Sequence, residues 1–292
     1  MRDRRYIQLD VFGDRPGAGN PLAVVLDAQG LDDDAMQAIA RWTRLPETTF
    51  VLPPLSADAS YGLRIFSPRR EVPFAGHPSV GTAHAVLDAG LATPRNGLIV
   101  QEGAAGLLPL QVVGSGAQRT IAVRTPRASV LEVRPHDDPL LLAALPGVAP
   151  GSLPPALVDG GRRWWLLQVA DEAALRSASP DWAVVERLAH ASDSMGVCAF
   201  ARSDDPVYYL TVRAFVGNPA AFEDAASGAA NATLAAWLAS RNALPGDGGF
   251  YRVSQGREVG HDAIIELTVD AAGDVWSGGR ACTVVRGTLA WS

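Results

Sequence analysis

Glu47 follows Pro46 and opens the run Thr48-Thr49-Phe50-Val51-Leu52, so a carboxyl is delivered at the start of a strongly apolar, strand-like segment. A carboxylate held there is equipped for proton transfer. Moving a proton along a small acid needs a group that takes it from carbon and returns it to a neighbouring atom, and one carboxylate over the substrate plane can do both. Without further context the same residue is also open to capping a turn or pairing with an arginine. Two more titratable side chains accompany Gly/Ala-rich segments: His77 in Phe74-Ala75-Gly76-His77-Pro78-Ser79-Val80-Gly81, and Asp224 in Glu223-Asp224-Ala225-Ala226-Ser227-Gly228-Ala229-Ala230. His77 could hydrogen-bond a substrate carboxylate or hydroxyl, or anchor its loop. Asp224 could orient an amine or hydroxyl, or cap a helix beginning near Ala225. Asn20, in Gly19-Asn20-Pro21, is placed to border a cleft or to form a turn. Ser79 and Ser227 add hydroxyls and N–H groups at helix starts, with Gly76, Gly228 and Ala229 beside them.

The elements that must position these groups recur. Arg64-Ile65-Phe66 is followed by the His77 segment and Val86-Leu87; Arg213-Ala214-Phe215 is followed by the Asp224 segment and Thr233-Leu234. Matching Gly81 to Gly228 gives an offset of 147 (228 − 81), which also takes His77 to Asp224, whereas the Arg-x-Phe motifs match at 149 (215 − 66). An offset of half the chain points to a duplicated domain, not a solenoid. In each copy a strand leads through a loop into a Gly/Ala-rich helix whose N-terminus offers unpaired N–H groups and positive dipole, a setting suited to a small carboxylate. Glycines at such helices also serve close packing.

Around the repeat, Tyr6–Phe12, Val24–Leu26 and Thr48–Leu52 are strand-like, and Tyr61–Phe66 is expected to alternate outward and inward. Asp32–Arg44 is expected to be a helix with Met36, Ile39, Ala40 and Thr43 on one face and aspartates at its start. Pro78 should begin a small-residue helix ending near Gly90. The Pro/Gly-rich stretch 145–155 is expected to be a surface loop.

Taken together, these segments resemble the phenazine-biosynthesis isomerase family (PhzF-like proteins). Asp10-Val11-Phe12 with Gly19-Asn20-Pro21-Leu22-Ala23-Val24-Val25 is similar to its opening strands, and Pro46-Glu47-Thr48-Thr49-Phe50-Val51 to its catalytic segment. Phe74–Pro78 with Gly81 and Glu223–Ala230 resemble its two Gly-rich loops, and Gly278-Gly279 with Gly287-Thr288-Leu289 its closing strands. Ala225, Ser227 and Ala229 stand where Pro, Thr and Ser are usual. The resemblance implies an α+β, diaminopimelate epimerase-like fold of two pseudo-symmetric lobes, each a curved, mostly antiparallel sheet or barrel around a central helix. Residues 1–126 would form the first lobe and 127–292 the second, with the last strands packing back on the first. It implies a cofactor-independent isomerase acting on a small carboxylate substrate, with Glu47 as single general acid/base and Asn20, Gly76, His77, Ser79, Asp224, Ser227, Gly228 and Ala229 at the substrate. The expected assembly is a cytoplasmic homodimer.

Other classes are weighed against this. Epimerases and racemases of that fold place a thiol or hydroxyl in each loop, and neither loop here holds Cys; Cys198 and Cys282 fall in strand-like segments. A non-catalytic binding relative would have no use for Glu47. A dehydrogenase lacks its GxGxxG after a strand. The 292 residues carry 25 Lys and Arg against 31 Asp and Glu, a formal charge of −6, which argues against a phosphate-backbone binder. No apolar run reaches the roughly 20 residues of a membrane helix, no signal peptide fits the N-terminus, two cysteines suit a reducing compartment, and the five histidines show no metal-ligand spacing.

Overall fold

Asp32 accepts a hydrogen bond from the Ala35 N–H and caps α1 (Asp33–Thr43), whose first turn carries Asp33 and Asp34 against the positive end of the helix dipole. Its apolar stripe buries Met36, Ile39 and Ala40 against Val25, Phe50, Phe66 and Leu289. Arg44, in the left-handed region at φ 57°, ends it.

The computed structural model describes residues 2–291, an α+β protein. Its chain divides into two compact units, one of the residues up to Arg124 with those from Gly278 onward, the other Thr125–Ser277. The first contains β1 (Arg2–Val11), β2 (Asn20–Val25), β3 (Glu47–Leu52), β4 (Tyr61–Phe66), β5 (Glu71–Val72), α2 (Gly76–Asp88), β6 (Leu98–Gly103), β7 (Gly106–Val113) and β8 (Thr120–Arg124). β1–β2 is antiparallel, β2–β3 parallel and β3–β4 antiparallel; β4 then pairs antiparallel with β5 and parallel with β6, and β6 antiparallel with β7. Every residue from Gly76 to Val86 is buried, so α2 is a central helix, packed on β1, β2, β3, β6 and β8. Its start is two residues before Pro78 and its end short of Gly90. Gly81 lies in mid-helix: a Cβ there would come within 2.6–2.8 Å of Leu9, Val11 and Leu22 side chains. That glycine admits the strands. β4 is buried along its length except at Arg64, not alternating as expected, because it lies inside a covered sheet.

The second unit contains β9 (Ser129–Val133), α3 (Pro139–Ala144), β10 (Ala156–Asp159), β11 (Arg163–Gln168), α4 (Glu172–Ser177), α5 (Trp182–Ala191), β12 (Gly196–Arg202), β13 (Leu210–Val216), β14 (Phe222–Asp224), α6 (Gly228–Ser240), β15 (Phe250–Gln255) and β16 (Ala263–Val269). Its pairings repeat those of the first: β10–β11 antiparallel, β11–β12 parallel, β12–β13 antiparallel, β13 antiparallel to β14 and parallel to β15, β15–β16 antiparallel. α6 is the buried helix here, against β10, β11 and β16, while α3, α4 and α5 cover an outer core of Leu141, Trp165, Leu175, Val185, Leu188 and Phe215. Residues 145–155 form no helix or strand beyond an isolated bridge at Pro150. β17 (Val275–Gly279) hands the chain back, and β18 (Ala281–Trp291) pairs antiparallel with β1 in the first unit.

A shared device fixes the residue correspondence between the units. Arg64 donates through Nε and Nη2 to both oxygens of Glu71, each at 2.7 Å, and its guanidinium lies 5.0 Å from the Phe66 ring. Arg213 grips Glu223 in the same way, at 2.9 and 2.7 Å, and lies 4.9 Å from the Phe215 ring. In both units the helix starts five residues after the glutamate, at Gly76 and Gly228. The correspondence over this segment is therefore 152 (228 − 76), not 147. Gly76 matches Gly228, His77 matches Ala229, and Asp224 matches Val72; the expected equivalence of His77 with Asp224 is corrected. The sequence match slid because two glycines in one small-residue helix offer two equally good registers.

Candidate active site

α1 turns through Arg44, Leu45 and Pro46 directly into β3, so Glu47 sits on the first rung of the ladder with β2, opposite Leu22. A hydrogen bond of 2.8 Å between the hydroxyls of Thr43 and Thr48 pins that corner. Thr48, Thr49 and Phe50 are fully buried, which makes β3 a rigid base for the carboxyl. Glu47 keeps 16% of its side chain exposed, and His77 Nε2 lies 3.4 Å from its Oε2. That separation is at the outer limit of a hydrogen bond. Burial lowers the His77 pKa from its ordinary 6.5 to about 3, so the imidazole is neutral across the physiological range and the contact is not an ion pair. Among the described residues Nε2 meets no hydrogen-bond partner at good geometry. A buried neutral imidazole beside a partly open carboxyl can hydrogen-bond it, or a ligand seated between them.

His77 owes its position to α2. Ala75 supplies no capping side chain, so the first-turn amides of Gly76 and His77 have no side-chain cap. Ser79 differs from its expected role as donor: it is fully buried, and both its N–H and its hydroxyl go to the Ala75 carbonyl, at 3.2 and 3.0 Å. Only its oxygen lone pairs remain to offer. Asn20 is buried at the start of β2, opposite Val11.

In the second unit Asp224 is the last residue of β14, opposite Ala214. It does not cap the helix. The cap is Ser227, whose Oγ accepts from the Ala230 N–H at 3.3 Å. A helix starting at Gly228 puts Asp224 four residues upstream, out of capping range. Gly228 is buried and Ala229 half-buried in the first turn of α6. Two residues that bond this loop have no counterpart in the sequence reading: Gln255, at the end of β15, and Asn231, one turn into α6. Both are fully buried and hydrogen-bonded to it. Nothing local in the sequence announces Gln255. The glutamates five residues before Gly76 and Gly228 were a legible signal for the register of the repeat.

Cys198 is fully buried in β12, and burial pushes its thiol up to about 12; the Cys282 thiol on β18 is also raised by burial. Neither is an activated nucleophile. Among the described residues no three His, Cys, Asp or Glu side chains converge as metal ligands, and no helix is long and apolar enough to cross a membrane.

The family model for phenazine biosynthesis-like proteins matches residues 9–287. The chain belongs to that family. It is 32% identical over 296 residues to antisense-enhancing sequence 1 of Schizosaccharomyces pombe, covering 98% of this chain and 99% of that one. It is 32% identical over 277 residues to a trans-2,3-dihydro-3-hydroxyanthranilate isomerase of Pseudomonas aeruginosa, covering 92% of each. Its fold is that of the PhzF-family phenazine biosynthesis protein of Bacillus anthracis, with a TM-score of 0.83 at 24% identity, covering 99% of this chain and 100% of that one.

Proposed function

We propose that the protein is a cofactor-independent isomerase that moves a proton on a small carboxylate substrate, with Glu47 as the single general acid/base. The observation that carries this reading is the Glu47–His77 contact: a partly open carboxyl on a rigid strand, 3.4 Å from an imidazole kept neutral by burial. Glu47 takes the proton from carbon and returns it to a neighbouring atom on the same face of the ligand, while neutral His77 hydrogen-bonds the substrate or Glu47 itself. In this reading the chain is a duplicated pair of diaminopimelate epimerase-like lobes, supported by the repeated strand pairings and the two Arg–Glu–Phe devices. Candidate contacts for the substrate carboxylate are Asn20, Gly76 and the N-terminal turn of α2 in one unit, and Gly228, Ala229 and the N-terminal turn of α6 in the other, with Asp224 suited to a polar substituent and Ser79 and Ser227 to offering oxygen lone pairs. Ala229, standing opposite His77 in the repeat, brings no second acid or base.

The isomerase name carried by the Pseudomonas aeruginosa relative suggests trans-2,3-dihydro-3-hydroxyanthranilate as the first compound to try. Incubation in heavy water, with deuterium located by NMR, tests the reading. Deuterium entering substrate or product with wild type, and not with Glu47→Gln, supports it. No incorporation into that compound, nor into any of a set of cyclic and acyclic carboxylates, would sink it. Exhaustive dialysis and chelation should leave the activity unchanged. Epimerisation by a thiol pair is the weaker reading, since Cys198 is buried and lies outside both loops. The homodimer is tested by sedimentation. Exposed Val130, Leu131 and Val133 on β9, and Val284 and Val285 on β18, are apolar surface that an assembly would cover.

A further inference from the structure

Three residues join β14 to α6. The ladder with β13 ends at the Ala214–Asp224 pair and helical residues start at Gly228, leaving Ala225 and Ala226 in neither element, while Ser227 joins the helix through its carbonyl and its capping hydroxyl. Two alanines supply no polar side chain, yet Ala226 is fully buried and Ser227 nearly so. Buried backbone amides and carbonyls need partners.

One side chain from another strand reaches the backbone at both ends of this segment. Gln255 is fully buried at the end of β15, held in register by Val212 of β13 and Ala263 of β16. Its Nε2 donates to the Asp224 carbonyl at 2.8 Å. Its Oε1 accepts from the Ser227 N–H at 3.2 Å and from Asn231 Nδ2 at 2.8 Å. Asn231 Nδ2 also donates to the Ser227 carbonyl at 2.9 Å. The partners define the amide orientation, because a carbonyl needs the NH₂ and an N–H needs the oxygen. The next residue shows how close the approach is. Gly256 is left-handed at φ +94°, and a Cβ on it would collide with the Ala225 carbonyl oxygen.

We propose that Gln255 is a positioning residue for the candidate site: its amide ties the carboxylate-bearing end of β14 to the first turn of α6, so that Asp224 and the α6 amides meet a ligand as one preset unit. This rests on the reading that the loop faces the substrate. Gln255 reaches the ligand only through the loop, and a loop freed of it would present Asp224 and the amides in many arrangements, lowering affinity through the cost of ordering them.

The test uses the full chain, residue-resolved amide hydrogen exchange, and anthranilate as a small carboxylate probe whose affinity is read by calorimetry. Gln255→Met keeps the size and removes every hydrogen bond; Gln255→Glu keeps the acceptor for Ser227 and Asn231 and loses the donor to Asp224. In the free protein, Gln255→Met should speed exchange of the Ser227 amide about tenfold or more, with α2 and β12 unchanged, and Gln255→Glu should fall between it and wild type. Anthranilate affinity should follow the same order, weakest in Gln255→Met and partly rescued in Gln255→Glu. Wild-type exchange at Ser227 in Gln255→Met overturns the clamp. Faster exchange with unchanged anthranilate affinity overturns the positioning role and leaves a merely structural one. Should wild type itself fail to bind anthranilate, the reading of the loop as a carboxylate site fails, and the positioning role falls with it, while Ser227 exchange still decides the clamp. If Gln255→Met does not fold, Gln255→Glu carries the same comparison, and wild-type exchange at Ser227 together with undiminished affinity in it counts against the proposal.

Discussion

His77 Nε2 lies 3.4 Å from Glu47 Oε2, an imidazole from the second residue of α2 meeting a carboxyl from the first residue of β3. Burial keeps that imidazole neutral, so it does not compensate the carboxylate as a cation would; its Nε2 is a donor or an acceptor according to tautomer.

Replacing Glu47 with Gln keeps the shape and the hydrogen bonding but removes the proton acceptor. Turnover of the substrate found by deuterium exchange should fall about 10²–10⁴-fold, with the thermal unfolding midpoint within a few degrees of wild type. A variant rate within a few-fold of wild type would dismiss Glu47 as the proton shuttle.

Acid should destabilise the fold through His77. The unfolded chain takes up the imidazole proton near pH 6.5, whereas the native protein refuses it until about pH 3. Between those limits the unfolded state binds the extra proton, so stability is lost as pH falls through that window, by up to ~1.4 kcal/mol per pH unit for this residue. His84, also lowered chiefly by burial, acts in the same direction. Urea unfolding from pH 7 to pH 4 should show a shallower slope in His77→Gln; an unchanged slope would show that the native imidazole protonates like an exposed one.

The two Arg–Glu pairs should differ in energy. Arg213 and Glu223 are each only 6% exposed, against 26% and 36% for Arg64 and Glu71. Arg213→Met leaves a buried carboxylate unpaired and should cost about 3–5 kcal/mol. Arg64→Met leaves Glu71 partly hydrated and should cost about 1–2 kcal/mol, a value discounted for solvent screening. Urea midpoints decide it, and a larger loss for Arg64→Met would contradict the burial argument.

Gly81→Ala sets helix propensity against packing. Alanine favours the helix by about 1 kcal/mol, but its Cβ would press on Leu9, Val11 and Leu22, and overpacking costs typically 1–3 kcal/mol. Net destabilisation is expected, measured as a lower midpoint in chemical unfolding. A stabilised variant would show that the strands yield readily to the helix.

Much of the protein was legible in one dimension wherever the deciding interactions are local. Aspartates at the start of α1 and the period of Met36, Ile39 and Ala40 mark that helix because capping and amphipathicity act within a turn or two. Glu47 ahead of an apolar strand, and Gly/Ala-rich segments in both halves, were legible as candidates, and the resemblance to the family joined them into one expected site. The register of the repeat was not legible: Gly76 and Gly81 give equivalent local matches to Gly228, and only Glu71 and Glu223, folding back onto Arg64 and Arg213, choose between them. Nor was the Glu47–His77 contact, made by residues that share no element, or the Gln255 clamp, whose amide comes from the end of β15, well beyond the loop it holds. Hydrogen bonds across such separations follow from strand register and helix packing, which the whole core sets and no local segment encodes.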